Sequence, residues 1–197
     1  EDSTNININN AGTYIGKLFS SKNFEPSTLL NQFSQVFNFN KATGKKITLA
    51  TEASTNYPGD GAFTLVNGVI NEKGFARTKE FLGFNGTDCE AVIDLGSEQK
   101  ISSAVVNSFK RTSSWIWQPL TAEVFGSLDG TTWKSLSMTD DFVESKTVTG
   151  KGIMKMSFDS TAVRFVKIVA ANWGEIPTGN PGAGKKAWLF NDEIEVN

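Results

Sequence analysis

The chain contains no histidine. That single absence removes Ser–His and Cys–His nucleophile pairs, His-based zinc sites and any imidazole proton shuttle. Enzymes built on two carboxylates stay open, because glycoside hydrolysis needs no more than that pair. There is one cysteine, Cys89, so no internal disulfide can form. Between Asp88 and Glu90 it reads as a small packing residue at the start of a strand, with a reactive thiol as the alternative. Charge of either sign is not in excess: 19 Lys and Arg face 21 Asp and Glu, a net charge of −2. Nothing in that balance draws the chain to nucleic acid or to an anionic membrane. No apolar run approaches the roughly 20 residues of a spanning helix. No signal peptide is visible, and the abrupt start at Glu1 reads as a mature form or an excised segment.

What is present is a core-forming composition. Hydrophobic residues make up 39% of 197 residues and charged residues 20%, which fits one domain of ordinary size plus an extra segment. Aromatics are uneven: 15 Phe and 5 Trp against 2 Tyr. The Phe suit a core, whereas several Trp stand among loop residues.

Two apolar runs, Ala91–Leu95 and Ile101–Val106, flank the polar Gly96–Lys100. Each is rich in β-branched residues and too short for a helix, so they predict two buried strands joined by a loop. The same texture predicts strands at Ile47–Ala50, Ala62–Val66, Leu120–Ser127, Thr132–Ser137, Gly152–Phe158, Val163–Ala170 and Ala187–Val196. Turn clusters such as Tyr57–Gly61, Asp129-Gly130 and Pro177–Gly184 separate them. Many short strands with glycine-rich turns predict an all-β sandwich or barrel. Residues 1–41 differ. Glu1–Asn10 is polar and Asn-rich. Apolar residues at 29, 30, 33, 36 and 37 predict a short helix started by Pro26 or Ser27, with an extended arm as the alternative. This part reads as a linker or the end of a preceding domain.

Several local patterns follow one another in a fixed order: Gly61–Gly68, Leu82-Gly83-Phe84, Ala91–Gly96, Ile101–Val105, Ser127–Trp133, Val163–Ile168 and Glu193–Val196. In that order they resemble the discoidin, or coagulation factor 5/8 type C, family. The segments Tyr57–Phe63, Ser114–Pro119 and Gly182–Ile194 are similar to family 32 carbohydrate-binding modules, in particular those of chitobiase-like (N-acetylhexosaminidase-associated) proteins of Bacteroidetes. The resemblance covers residues 42–197. It implies an eight-stranded discoidin-type jelly-roll β-sandwich of the galactose-binding kind, with ligands held by loops at one end.

It also implies a structural Ca2+, held by the carbonyls of Thr64, Asn71, Glu72 and Asp192, the side chain of Asn67 and the carboxylate of Glu193. A hard cation wants six to eight oxygens from a rigid loop. Asn67 stands where the family usually has Asp, and Val69 offers no side-chain oxygen. The alternative is a plain turn at Asn67-Gly68 with Glu193 in solvent.

A sugar site needs a flat aromatic to stack on and polar side chains to exchange hydrogen bonds with hydroxyls. Three loops carry both: Gly74–Phe81, Lys110–Trp117 and Asn172–Lys186. Trp115 or Trp173 is the expected platform, with Arg77, Asn172 and Glu175 as hydrogen-bonding partners. Trp117 and Trp188, within apolar strands, are expected in the core. Phe75 with Arg77 and Lys79 could imitate a lipid-binding loop tip, but the acidic balance argues against it.

The leading expectation is therefore a non-catalytic module that binds glycans with galactose- or N-acetylhexosamine-type sugars. It would sit in a secreted, periplasmic or surface-exposed bacterial protein and be tethered to other domains. A domain that packs against a neighbour without a ligand of its own is the second reading. A glycosidase fragment using Glu175 with Asp192 or Glu193 is the third.

Overall fold

The computed structural model describes residues 12–20 and 28–197, with side chains from Phe37 onward; Arg77 is described by its backbone alone. Two strands dominate it: β6 (Cys89–Phe109) and β11 (Lys151–Ala170), antiparallel along their whole length. Shorter strands join them: β3 (Lys46–Leu49), β5 (Leu82–Asn85), β7 (Ile116–Trp117), β8 (Ala122–Ser127), β9 (Lys134–Thr139), β10 (Val143–Glu144) and β12 (Trp188–Val196).

The two expected strands at 91–95 and 101–106 are halves of β6, and the expected loop between them narrows to Gly96–Glu98, which opens on a Gly96 φ of 87° and has no partner in β11. The break survives as a bulge. Between the pairs Phe165–Asp94 and Val163–Gln99, β6 advances further than β11 does. A second irregularity follows between Ser157 and Thr161. Bulges bend and twist a strand pair, and here they turn it from one layer into another. The first half of β6 pairs with β3 and with the second half of β11, which continues to β8 and β9. The second half of β6 pairs with β12 and the first half of β11, with β5 and β10 at the edges. One cluster of buried side chains draws on both halves, including Ile93, Leu95, Ile101, Val106, Met156, Val166 and Ile194. The two layers thus face each other across a single core, and the fold is an all-β sandwich.

β6 also doubles back. The Cys89 thiol at its start meets the Asn191 side chain in β12, which accepts a 2.6 Å bond from Ser108 Oγ near the end of β6. Its start and end therefore lie at the same end of the sandwich. The loops after β6, before β11 and before β12 gather there. Cys89 is buried, and burial pushes its thiol up to about 12, in keeping with a packing role rather than a reactive one.

Three local expectations change. Residues 59–66 are a short strand, β4 (Gly59–Ala62), followed by a 3-10 turn over Phe63–Val66. Gly59 has a φ of 49°, and a Cβ there would meet Thr64 Oγ1, so the chain must turn instead of running straight. Leu82–Asn85 is a strand that composition did not flag. Thr28–Phe37 is not a helix: it is strand β2, paired antiparallel with β1 (Gly12–Ser20). The Leu29-Leu30 doublet that produced the helical spacing stands at a register shift in this ribbon. Glu1–Asn10, Pro26 and Ser27 lie outside the described residues.

Candidate functional site

Loop geometry at the shared end is set by backbone bonds. Arg111 and Ile116 exchange two of them, 2.8 and 3.2 Å, which closes the four-residue loop Thr112–Trp115. Inside it Ser114 N–H and Trp115 N–H donate to the carbonyls of Arg111 and Thr112. To close the loop, Trp115 takes a φ of 63°, the one left-handed non-glycine backbone among the described residues. For a bulky side chain this costs roughly 1–2 kcal/mol. The indole is 40% exposed. Gly182 lies directly against its edge: a Cβ there would sit 2.4 Å from Trp115 Nε1. The Trp115 carbonyl also accepts from Trp188 N–H at 2.8 Å. Gly182 thus covers the edge of the ring and Trp188 ties its backbone, while the residue stays exposed to water.

Trp173, the other expected platform, is half-buried. Its Nε1–H donates to the Gln118 carbonyl at 3.0 Å, and its ring packs 5.0 Å from that of Trp117. With Ile176 and Ala187 they form a small satellite core. Trp117 is buried, as expected; Trp188 is half-buried against Tyr57 and Phe190. Asn172 is a staple of its own loop: its Nδ2 donates to the carbonyls of Phe84 and Ala187, and its Oδ1 accepts from Gly174 N–H. That leaves its carboxamide occupied with backbone. Glu175 is exposed and bridges through its backbone to Lys186. Arg77 lies in the 3-10 segment Gly74–Glu80, whose Phe75 ring stacks on Phe109 and Phe190 at 6.3 and 6.4 Å.

Trp115, the loop of Trp173, and the segment of Arg77 are thus brought to one end, joined by the Trp115–Gly182, Trp117–Trp173 and Arg111–Phe75 contacts. Sequence reasoning missed Arg111, whose guanidinium lies 5.1 Å over the Phe75 ring. It also missed a cleft of about 450 Å³ where Phe75, Phe109, Lys110 and Thr149 converge. Nothing local marks that cleft, because its walls come from three separate loops.

The residues nominated for a cation come together only in part. Glu193 is fully buried. Its Oε2 accepts from Gly68 N–H at 3.1 Å, and its Oε1 lies 3.5 Å from Asn40 Nδ2. No cationic side chain pairs with it among the described residues, and burial pushes its carboxyl up to about 9. This corrects the reading of Glu193 as solvated. Thr64 is buried, with its hydroxyl taking the Asp60 N–H. Asn67 Oδ1 accepts from Val69 N–H at 2.8 Å, a turn that leaves one lone pair. Asp192 Oδ2 accepts from Lys151 Nζ and Asn71 N–H, while its buried Oδ1 has no hydrogen-bond partner and stays available beside its carbonyl. Glu72 is exposed at the rim. No cluster of three or more acidic, Cys or His ligands occurs among the described residues. A buried carboxyl that no cationic side chain meets among the described residues, preceded in the chain by the unpartnered Asp192 Oδ1, does fit a hard cation.

The same burial disposes of the glycosidase pair. Asp192 and Glu193 are shut away from solvent, whereas general acid–base work requires both carboxyls at a substrate. No helix of the described residues is long and apolar enough to cross a membrane.

No protein-family model matches the chain, and no curated protein matches it. Solved structures do. A family 32 carbohydrate-binding module from Clostridium perfringens, in complex with GalNAc-β-1,3-galactose, aligns with TM-score 0.50 at 16% identity, over 77% of this chain and 93% of its own. A fucose-binding module of Streptococcus pneumoniae aligns with TM-score 0.50 at 15% identity, over 81% and 94%. A fucosidase of Ruminococcus gnavus, in complex with fucose, aligns with TM-score 0.51 at 16% identity over 80% of this chain, using 26% of the enzyme. At these identities the likeness establishes a shared fold.

Proposed function

We propose that this chain is a non-catalytic carbohydrate-binding module whose site is the loop end built around Trp115. The observation that carries the reading is Trp115 itself. A large apolar ring is held in a costly backbone conformation, braced by Gly182, and still presented to solvent. Strain of this kind persists where the surroundings enforce it and the exposed group has a use. A flat, rigid indole suits the apolar C–H face of a pyranose. Galactose- and N-acetylhexosamine-type sugars are the proposed ligands, and attachment to a chitobiase-like protein outside or on the surface of a bacterial cell is the proposed setting. Affinity per site is modest, because water competes for every hydroxyl and an open site buries little area. The test is a glycan array on the chain beside its Trp115→Ala variant. Binding that drops to background in the variant supports the site; equal binding by both would remove Trp115 from it.

We further propose that Glu193, Asn67 and the carbonyls of Thr64, Asn71, Glu72 and Asp192 hold a structural Ca2+. The support is the buried Glu193 carboxyl, which no cationic side chain meets among the described residues. Its role would be to take the place of the proton that burial holds on Glu193 and to pin the Phe63–Asn71 loop to β12. Millimolar Ca2+ should raise the melting temperature, and Glu193→Gln should abolish the shift. An identical melt with Ca2+ and with a chelator refutes the site.

A further inference from the structure

Resting on the glycan-binding reading, we propose that the cleft beside the Trp115 loop takes the acidic group of an anionic glycan, the carboxylate of a uronic-type sugar or a sulfate ester. The cleft holds about 450 Å³, within the roughly 300–1,000 Å³ of small-ligand sites. Its floor is aromatic: the Phe75 and Phe109 rings stack at 6.3 Å with an interplanar angle of 22°. Gly74 and Gly150 bring two loops onto Phe109, since a Cβ at either would lie 3.2 or 3.0 Å from that ring. Lys110 N–H bonds the Gly150 carbonyl at 2.7 Å and ties two of the walls together.

The rim decides the ligand class. Lys73, Lys110 and Arg111 line it against one carboxylate, Glu72. Three cations less one anion leave a local excess of two positive charges in a chain of net charge −2. None of the three cations is in an ion pair among the described residues. Unpaired cations in a concave, partly apolar site focus a field that a neutral sugar cannot exploit. Arg111 is the best placed. One face of its guanidinium rests over Phe75 at 5.1 Å, which limits its freedom and leaves the N–H edge for a planar, bidentate partner. Arg111 also closes the four-residue loop that ends in Trp115. Platform and cation therefore share one rigid unit. A sugar stacked on the indole would present its acidic group, or that of the next unit, toward the cleft.

The test is affinity electrophoresis of the whole chain in three polymers: polygalacturonate, carrageenan and neutral galactan. At low salt we expect the acidic polymers to retard the chain about tenfold more strongly than galactan, with that advantage shrinking between about 50 and about 300 mM NaCl. Arg111→Gln should lower acidic binding roughly tenfold and leave galactan binding within about twofold, with Lys73→Gln a smaller loss. Retardation by polygalacturonate alone assigns a carboxylate, and by carrageenan alone a sulfate. Galactan bound as tightly as the acidic polymers, or acidic binding unchanged in Arg111→Gln, overturns this proposal and leaves the glycan-binding reading intact. No retardation in any polymer overturns both. Arg111 is exposed, so an unchanged thermal melt of the variant separates lost binding from lost folding.

Discussion

Trp115 shows how one residue can work against the local preferences of its backbone. Its left-handed φ favours glycine, and any other residue there is strained. The prediction at this scale is a contrast between two variants. Trp115→Gly should be more stable than Trp115→Ala by about 1 kcal/mol, because glycine relieves the strain while both remove the same ring. Both should lose glycan binding. Denaturant melts of the pair check this, and an alanine variant as stable as the glycine one would mean the backbone there is not strained. That Trp115 and Trp173 stand in polar loops was legible from their neighbours. Which of the two faces solvent was not. The partner that occupies Trp173 Nε1 is the Gln118 carbonyl, 55 residues away. Asn172 misled for a related reason: an Asn in a glycine-flanked loop suits either a ligand or a backbone staple, and three carbonyl or amide partners make it the staple.

At the scale of elements, the β6–β11 pair carries the architecture, and its bend is pinned by a surface ion pair. Arg164 Nε and Nη2 each donate to an Asp94 carboxylate oxygen at 3.0 Å. Gly96 N–H adds a bond to Asp94 Oδ1 at 2.8 Å. The bonds from Arg164 and then Gly96 hold the Asp94 carboxyl down to about 2. A carboxyl with a depressed folded value stabilises the fold above its unfolded value, near pH 4, and loses that contribution as pH falls through about 2. Both groups face solvent, so the effect is small. Asp94→Asn should lower the melting temperature on the order of 1 °C at pH 6, and that difference should shrink steadily below pH 4 and fade as pH drops through about 2. A difference independent of pH would mean that the charge is not what holds the bend. Strand content in this region was legible because β-branched runs are a local signal. Continuity through Gly96–Lys100 was not, because it depends on Gln99 and Lys100 pairing with Val163 and Ala162 in a distant strand.

For the whole molecule, contacts that tie the N-terminal segment to the body begin before residue 42, with a bridge from Phe37 to Val69. Asn38 N–H bonds the Gly68 carbonyl, and Asn38 Nδ2 bonds Glu195. Asn40 Oδ1 accepts from both Ala42 N–H and Val196 N–H, clasping the last strand. Apart from that Phe37–Val69 bridge, the β1–β2 pairing runs within the ribbon, and a two-stranded ribbon is marginal in water. A chain of residues 38–197 should therefore melt cooperatively within about 2 °C of the full chain. Starting instead at Ala42 should cost about 1–3 kcal/mol, because Val196 N–H loses its partner. Equal stability of the two truncations would place the boundary where composition put it.

The sequence by itself determined the all-β character, the positions of most strands, the exclusion of His-dependent chemistry and the concentration of Trp in loops. All of these rest on short-range pattern or on counting. Only the tertiary structure decided that Glu193 is buried against Gly68, 125 residues away, that Trp115 is exposed while Trp173 is packed, and that Lys73, Lys110 and Arg111 surround one cleft. The physical reason is range. Side-chain periodicity reports which way a residue faces within its own strand, whereas the doubling back of β6 and the closure of β12 beside it determine which loops meet.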